Sequence, residues 1–307
     1  MYKITISIII SFIFINLKAQ VPTKKDSFLI TDDGTELFVQ KSGNGPVCIF
    51  IHGGPGAWSK TFKDLGGDNL ETNLTMVYYD QRGSGRSEKS LSDDYSIDRM
   101  VEDIDLVRKY YQSEKVYILA HSFGGILAVN YAKKYPGHLN GLILANSTLS
   151  LPYSLNNQIT YINQLLKTNL TPPDHSSAAI MSTFIEAKKA LSAKKMTYKT
   201  LSDHKKSVDA LDIIDDKNPG DYDFAQKAFD IGDYWKDYTN ITQKIEVPVL
   251  IITGEKDYSV GKDHYLQFNF INERVKRING GHLLYYENNE EFINSIFEFV
   301  KETTIQK

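Results

Sequence analysis

Several stretches of this chain are apolar without interruption and end abruptly in small or polar residues. PVCIFI runs into HGGPG, LTMVYYD into QRGSGRS, KVYILA into HSFGG, and LNGLILA into NS. Short apolar runs without polar alternation read as strands covered on both faces. Between the second and third lies YSIDRMVEDIDLVRKYY, with Ile97, Met100, Val101, Ile104 and Val107 at helical spacing. ILAVNYAKKYP reads as a helix stopped at Pro136. Strand and helix alternate, which predicts an α/β fold with a mostly parallel central sheet covered by helices. Upstream, DSFLIT and ELFVQKS flank DDG and predict a hairpin turning at Asp33-Gly34.

The rhythm breaks over residues 150–245. This stretch is polar, rich in Lys and Asp, and helical in pattern (TYINQLLKTNL, STFIEAKKALSAKK, FAQKAFDIGDYW), with TPPD and DKNPGD as punctuation. It predicts an inserted helical cap. The strand–helix rhythm resumes with VPVLIITGEKD, HYLQFNF, RVKRINGGH and EEFINSIFEFV. Residues 21–149 and 246–307 are thus expected to form one domain, interrupted by the cap. The first twenty residues stand apart. A short basic start, the apolar run ITISIIISFIFI and the polar close NLKAQ predict a signal peptide over residues 1–20. The run is short for a membrane span, and an uncleaved N-terminal anchor is the alternative. The expected location is periplasmic or extracellular, without a stable span once the leader is removed.

Composition narrows the function. The chain has 307 residues, 41% hydrophobic and 24% charged, with a net charge of −3. This is globular composition, and no basic stretch suggests nucleic acid as a partner. The single cysteine, Cys48, lies inside PVCIFI, so an internal disulfide and a CxxC metal site are both excluded. There it reads as a small apolar residue. No P-loop, no G-x-G-x-x-G at a strand–helix junction and no zincin spacing is present. No cofactor and no metal is implied.

The remaining chemistry collects around one serine. Ala120-His121-Ser122-Phe123-Gly124-Gly125 joins a predicted buried strand to a predicted helix. Small residues on either side let strand and helix approach closely, and force the serine onto a sharp turn with its hydroxyl exposed. A hydroxyl needs a base, and the base an orienting acid. Of seven histidines, His282 sits in NGGH after a strand, on the sheet edge where a parallel arrangement also places Ser122. His264, His138, His175 and His204 read as surface residues. His121 adjoins the serine and is expected to point elsewhere, and His52 is expected to brace HGGPG by hydrogen bonding. Asp257 ends VLIITGEKD and is the expected acid. Asp80 is the rival, read as a structural ion pair with Arg82. Oxyanion donors are expected from the amides of Phe123 and Gly54, with Gly53 as the alternative.

HGGPG, YYDQRGSGRS, AHSFGG, TGEKD and GGH occur in the order and spacing of the α/β-hydrolase superfamily. The pair HGGPG and DQRGSGRS resembles its proline iminopeptidase branch. The resemblance covers residues near 26–148 and 245–305. It implies an α/β-hydrolase fold and a serine hydrolase in which Ser122 is the nucleophile, His282 the base and Asp257 its orienter, and the leader over residues 1–20 makes the expected enzyme a secreted one. The residues from His52 to Gly56 would form the oxyanion loop. The implied reaction releases an N-terminal residue, proline preferred, from small peptides. Members of this branch hold the substrate's free amine with acidic side chains. In part of the branch a glutamate directly follows the catalytic aspartate, but here Tyr258 takes that place. The cap could then supply the clamp from Glu186, Asp230, Asp233 or Asp237. A carboxylesterase or other acyl hydrolase with the same triad is the alternative, and Tyr258, Tyr285 and Tyr286 suit its less charged pocket. A non-catalytic binding protein on the same fold is the reading from another class.

Overall fold

The computed structural model describes residues 25–218 and 220–305. The leader predicted over residues 1–20 lies outside them. Strands β1 (Lys25–Ile30) and β2 (Glu36–Gly43) form the expected hairpin. They are followed by β3 (Val47–Ile51), α1 (Ser59–Asp64), β4 (Thr75–Tyr79), α2 (Ile97–Tyr110), β5 (Val116–His121), α3 (Gly124–Lys134) and β6 (Leu139–Ala145). The chain then leaves the sheet through α4 (Leu151–Leu166), α5 (Ser177–Ala193), α6 (Lys205–Lys217) and α7 (Asp223–Lys227). It returns with β7 (Val249–Gly254), β8 (Glu273–Ile278), α8 (Leu284–Glu287) and α9 (Asn289–Ile305).

The strands form one eight-stranded sheet in the order β1-β2-β4-β3-β5-β6-β7-β8. The β1–β2 and β2–β4 pairs are antiparallel, and every pairing from β4 through β8 is parallel. The apolar runs form the middle of this sheet because both of their faces are needed. Ile49, Val77, Ile118, Leu142 and Ile251 point to one side, where they pack with Met100, Ile104 and Val107 of α2 and Ile126 and Val129 of α3. Their neighbours Phe50, Met76, Leu119, Ile143 and Leu250 point to the other side, against Phe62 of α1 and Ile296 and Phe299 of α9. Each such side chain taken fully out of water contributes about 1.5–3 kcal/mol. Cys48 belongs to the second side. It is fully buried, and burial pushes its thiol up to about 12, as expected of a packing residue.

Because β3 to β8 run parallel, their carboxyl ends share one edge. His52, Asp80, Ser122, Asn146, Asp257 and His282 all lie there, each just beyond a strand. The β8 end of the sheet is less covered than the pattern predicts, with Glu273, Arg274 and Val275 exposed. HYLQFNF supplies only a short 3-10 turn, His264–Gln267. FAQKAFDIGDYW is α7 followed by two 3-10 turns rather than one helix. Helix α6 falls within the stretch read as a helical cap but outside the three helical runs singled out there.

Candidate active site

Ser122 has φ of 55°, in the left-handed region that side chains usually avoid. Such a residue costs about 1–3 kcal/mol and persists only where its surroundings hold it. Here its N–H donates to Ala145 O at 3.2 Å, and its own carbonyl accepts from Gly125 N at 3.1 Å and Thr148 N at 3.0 Å. The glycines that follow are required by proximity. A Cβ on Gly124 would lie 2.6 Å from Ile51 O, and one on Gly125 2.6 Å from the Ser147 Cβ. The turn between β5 and α3 is therefore the tight elbow that the small residues predict.

His282 lies 4% exposed beyond β8, and Asp257 is fully buried beyond β7. His282 Nδ1 is 3.0 Å from Asp257 Oδ2. A carboxylate accepts, so Nδ1 carries the proton and Nε2 is left as a bare acceptor. Asp257 Oδ1 is occupied by the amides of Ser259 at 2.9 Å and Val260 at 3.2 Å. Asn146, not singled out from the sequence, links the two loops. Its Oδ1 accepts from Gly254 N at 2.7 Å, and its Nδ2 donates to Gly281 O at 3.0 Å. Its position just after a buried strand was the available signal.

His52 braces the HGGPG loop as expected. Gln81 N–H donates to His52 Nε2 at 2.9 Å, so Nδ1 carries the proton and donates to Gly53 O at 2.9 Å. Gln81 Nε2 also donates to His52 O at 2.8 Å. Burial lowers the His52 pKa, and with both ring nitrogens engaged it offers no free base. The loop passes close to the serine, since a Cβ on Gly53 would lie 2.7 Å from the Ser122 Cβ. Among the described residues, the amides of Gly54 and Phe123 make no hydrogen bond with other backbone groups. Gly54 has φ of 116°, a conformation that favours glycine.

Ser122, His282, Gly53 and Gly54 line one cavity of about 230 Å³. Its walls are largely apolar: Phe50, Phe62, Leu201, Leu211, Leu283 and Tyr285. Among the polar residues that also line it, two with ionisable side chains were not expected there. One is His121, which turns into the cavity rather than away from it. The other is Asp215 of α6, whose Oδ1 accepts from Trp58 Nε1 at 2.7 Å and Thr61 Oγ1 at 3.2 Å. The signal for α6 was the spacing of Val208, Leu211 and Ile214, obscured by the dense Asp and Lys around them.

Glu186, Asp230, Asp233, Asp237 and Tyr258 do not line this cavity. Glu186 and Asp230 are exposed, Asp233 pairs with Lys236, and Asp237 accepts from Thr239. The Tyr258 ring stacks on Tyr161 with centroids 3.7 Å apart. Asp80 is structural, but its partner is Arg86, at 2.7 Å, and not Arg82. Burial acts to raise the Asp80 pKa, yet the Arg86 guanidinium holds it below the ordinary value. Arg82 instead reaches Asp103 of α2 through two bonds, at 2.6 and 2.8 Å, and Asp33 at 2.9 Å. His264 is not a surface residue but is buried. His175 and His204 are exposed as expected, and His138 contacts Asp105.

The sequence model for the alpha/beta hydrolase fold matches residues 46–289. A proline iminopeptidase of Saccharolobus solfataricus is 27% identical over 84% of this chain and 86% of its own length. One of Elizabethkingia meningoseptica is 26% identical over 87% of this chain and 94% of its own. A third, of Thermoplasma volcanium, is 37% identical over a shorter stretch, 38% of this chain and 39% of its own length. Among solved structures, a proline iminopeptidase-related protein of Thermus thermophilus superposes with a TM-score of 0.74 at 24% identity, covering 91% of this chain and 98% of its own. An esterase of Exiguobacterium antarcticum does so with a TM-score of 0.66 at 20% identity, covering 90% and 100%. The eight-stranded sheet, the elbow at Ser122 and the extent of the family match together establish that this chain belongs to the alpha/beta hydrolase fold family.

Proposed function

We propose that the protein is a serine hydrolase that releases the N-terminal residue, proline preferred, from small peptides through an acyl-enzyme. The observation that carries the peptidase reading is the Asp215 carboxylate in the same cavity as Ser122 and His282. One of its oxygens is fixed by Trp58 and Thr61, which leaves the other to accept from a substrate ammonium. The names borne by the relatives agree with this assignment.

In the proposed reaction the substrate carbonyl carbon sits over the Ser122 hydroxyl, with its oxygen toward the amides of Gly54 and Phe123. His282 Nε2 takes the hydroxyl proton as Oγ bonds to carbon. Asp257 stabilises the imidazolium and does not itself become protonated. The negative charge that develops on the carbonyl oxygen is met by fixed N–H groups, one of them at the start of α3, where the helix dipole favours an anion. His282 then returns the proton to the leaving amine, and water, deprotonated by the same Nε2, releases the residue.

The apolar walls favour a second reading, an esterase acting on an uncharged acyl group. A panel of aminoacyl arylamides with free and blocked amino termini, beside short-chain esters, separates the two. Turnover that requires the free amine supports the peptidase. Ready ester cleavage with no turnover of proline arylamide overturns it. Export by the leader over residues 1–20 is part of the proposal. N-terminal sequencing of protein recovered outside the cytoplasm tests it.

A further inference from the structure

We propose that His121 is a positioning residue for His282, holding its imidazole against Asp257 in the cavity that Ser122 also lines. The inference rests on the Ser122–His282–Asp257 reading above.

His121 Nε2 lies 3.1 Å from His282 O. A carbonyl only accepts, so this nitrogen carries the proton and donates. The backbone of His282 is thereby tied through both its polar groups, since its N–H donates to Leu201 O at 2.8 Å. Its ring is tied through Nδ1 to Asp257. One hydrogen bond at Nδ1 still lets the imidazole pivot about that contact. The His121 ring closes one side of the arc, with centroids 4.6 Å apart and planes tilted by 44°. Tyr285 in turn backs His121, its ring edge-on at 5.3 Å.

The arrangement is coupled to the nucleophile by sequence. His121 is the residue before Ser122, so the turn that presents the hydroxyl also presents the ring that steadies the base. It is suited to this by staying neutral. Burial pushes the His121 pKa down to about 3, and the neighbouring His282 and His52 act in the same direction. The titratable groups that face it are His282, His52 and Tyr285, with Asp215 on the same cavity wall. A cationic ring at this position would oppose the imidazolium that His282 becomes during attack.

Two substitutions separate the contributions. His121→Phe keeps a ring and removes the donor, whereas His121→Gln keeps a donor and removes the ring. Both are compared with the unaltered protein for kcat, KM, melting temperature and rate of fluorophosphonate labelling at Ser122, which reports the Ser122–His282 pair without a peptide substrate. His121→Phe is expected to lower kcat and the labelling rate by about tenfold or more, the scale of a misplaced reacting group, with KM changed by less than about twofold. His121→Gln should recover part of both rates. A labelling rate for His121→Phe within about twofold of the unaltered protein, with KM raised, overturns the proposal and leaves His121 as a pocket wall. If His121→Phe does not fold, His121→Gln is compared with His121→Ala, where faster labelling by Gln supports the donor and equal rates overturn it. An unaltered protein that neither labels nor turns over any substrate in the panel overturns the triad reading itself, and this inference with it.

Discussion

The two oxygens of Asp257 have separate partners: Oδ2 faces His282 Nδ1 at 3.0 Å, while Oδ1 accepts the amides of Ser259 and Val260. One oxygen shapes the loop and the other sets the tautomer of His282. Asp257→Asn therefore has a defined outcome. The loop amides need an acceptor and retain the amide oxygen, so the NH₂ group faces Nδ1. Nδ1 must then accept, the ring proton moves to Nε2, and no base remains toward Ser122. We expect kcat to fall by about 10⁴, as in other serine triads with this substitution, and the melting temperature to change little. Activity within tenfold of the unaltered protein would remove Asp257 from this role.

Gly53 is the residue through which the HGGPG loop approaches the elbow. A Cβ there would stand 2.7 Å from the Ser122 Cβ and 3.3 Å from its Oγ. Neither neighbour is free to yield, since Ser122 is held by its backbone bonds and Gly53 O by His52. Gly53→Ala should push the loop and the serine apart. The expected result is a loss in kcat of about tenfold or more, larger than any change in KM. Steady-state kinetics on the best substrate of the panel checks it.

The parts legible in the sequence were those set by short-range sterics and by the period of apolar residues. Short apolar runs that alternate with helical patterns read as two-sided strands, so the sheet, its parallel middle and the shared edge bearing Ser122, Asp257 and His282 all followed. The elbow followed as well, because Gly124 and Gly125 have no room for a side chain. What was not legible depends on which distant residue lies opposite. Asp80 and Arg82 are two apart and look like a pair, but the turn sends Arg82 toward Asp103 and brings Arg86 back to Asp80. His121 was expected to point away because adjacent residues usually diverge. The left-handed backbone at Ser122 removes that expectation. Asp215 was hidden among the other aspartates of α6, and only packing beside Trp58 and Thr61 distinguishes it.

Asp215 gives the peptidase reading its sharpest test. Asp215→Asn removes the charge and keeps an oxygen for the Trp58 and Thr61 donors, so the position of α6 should be retained. For substrates with a free amine, KM should rise about tenfold or more, the value of one charge-assisted hydrogen bond. For esters lacking an amine, both constants should stay within about twofold. Equal effects on both substrate types would show that Asp215 supports the roof of the cavity and does not bind the amine.

His264 carries a prediction about stability. Its Nε2 accepts from Leu149 N–H at 3.0 Å, so the proton sits on Nδ1, which is buried and has no partner among the described residues. Burial pushes its pKa down to about 4, although Asp237 and Asp257 act the other way. Above pH 6.5, the ordinary value for a histidine, the ring is neutral in both the folded and the unfolded chain, and its contribution to stability is complete. As pH falls below 6.5 the unfolded chain binds the proton first, and stability drains until the folded protein titrates as well, near pH 4. The whole loss is roughly 3 kcal/mol for this one group. His264→Gln presents an oxygen to Leu149 N–H and does not titrate. Urea unfolding from pH 7 to pH 4 should therefore show the unaltered protein losing stability faster than the variant, with the carboxylates common to both cancelling in the difference. Two parallel curves across that range would mean that the His264 proton is not linked to folding.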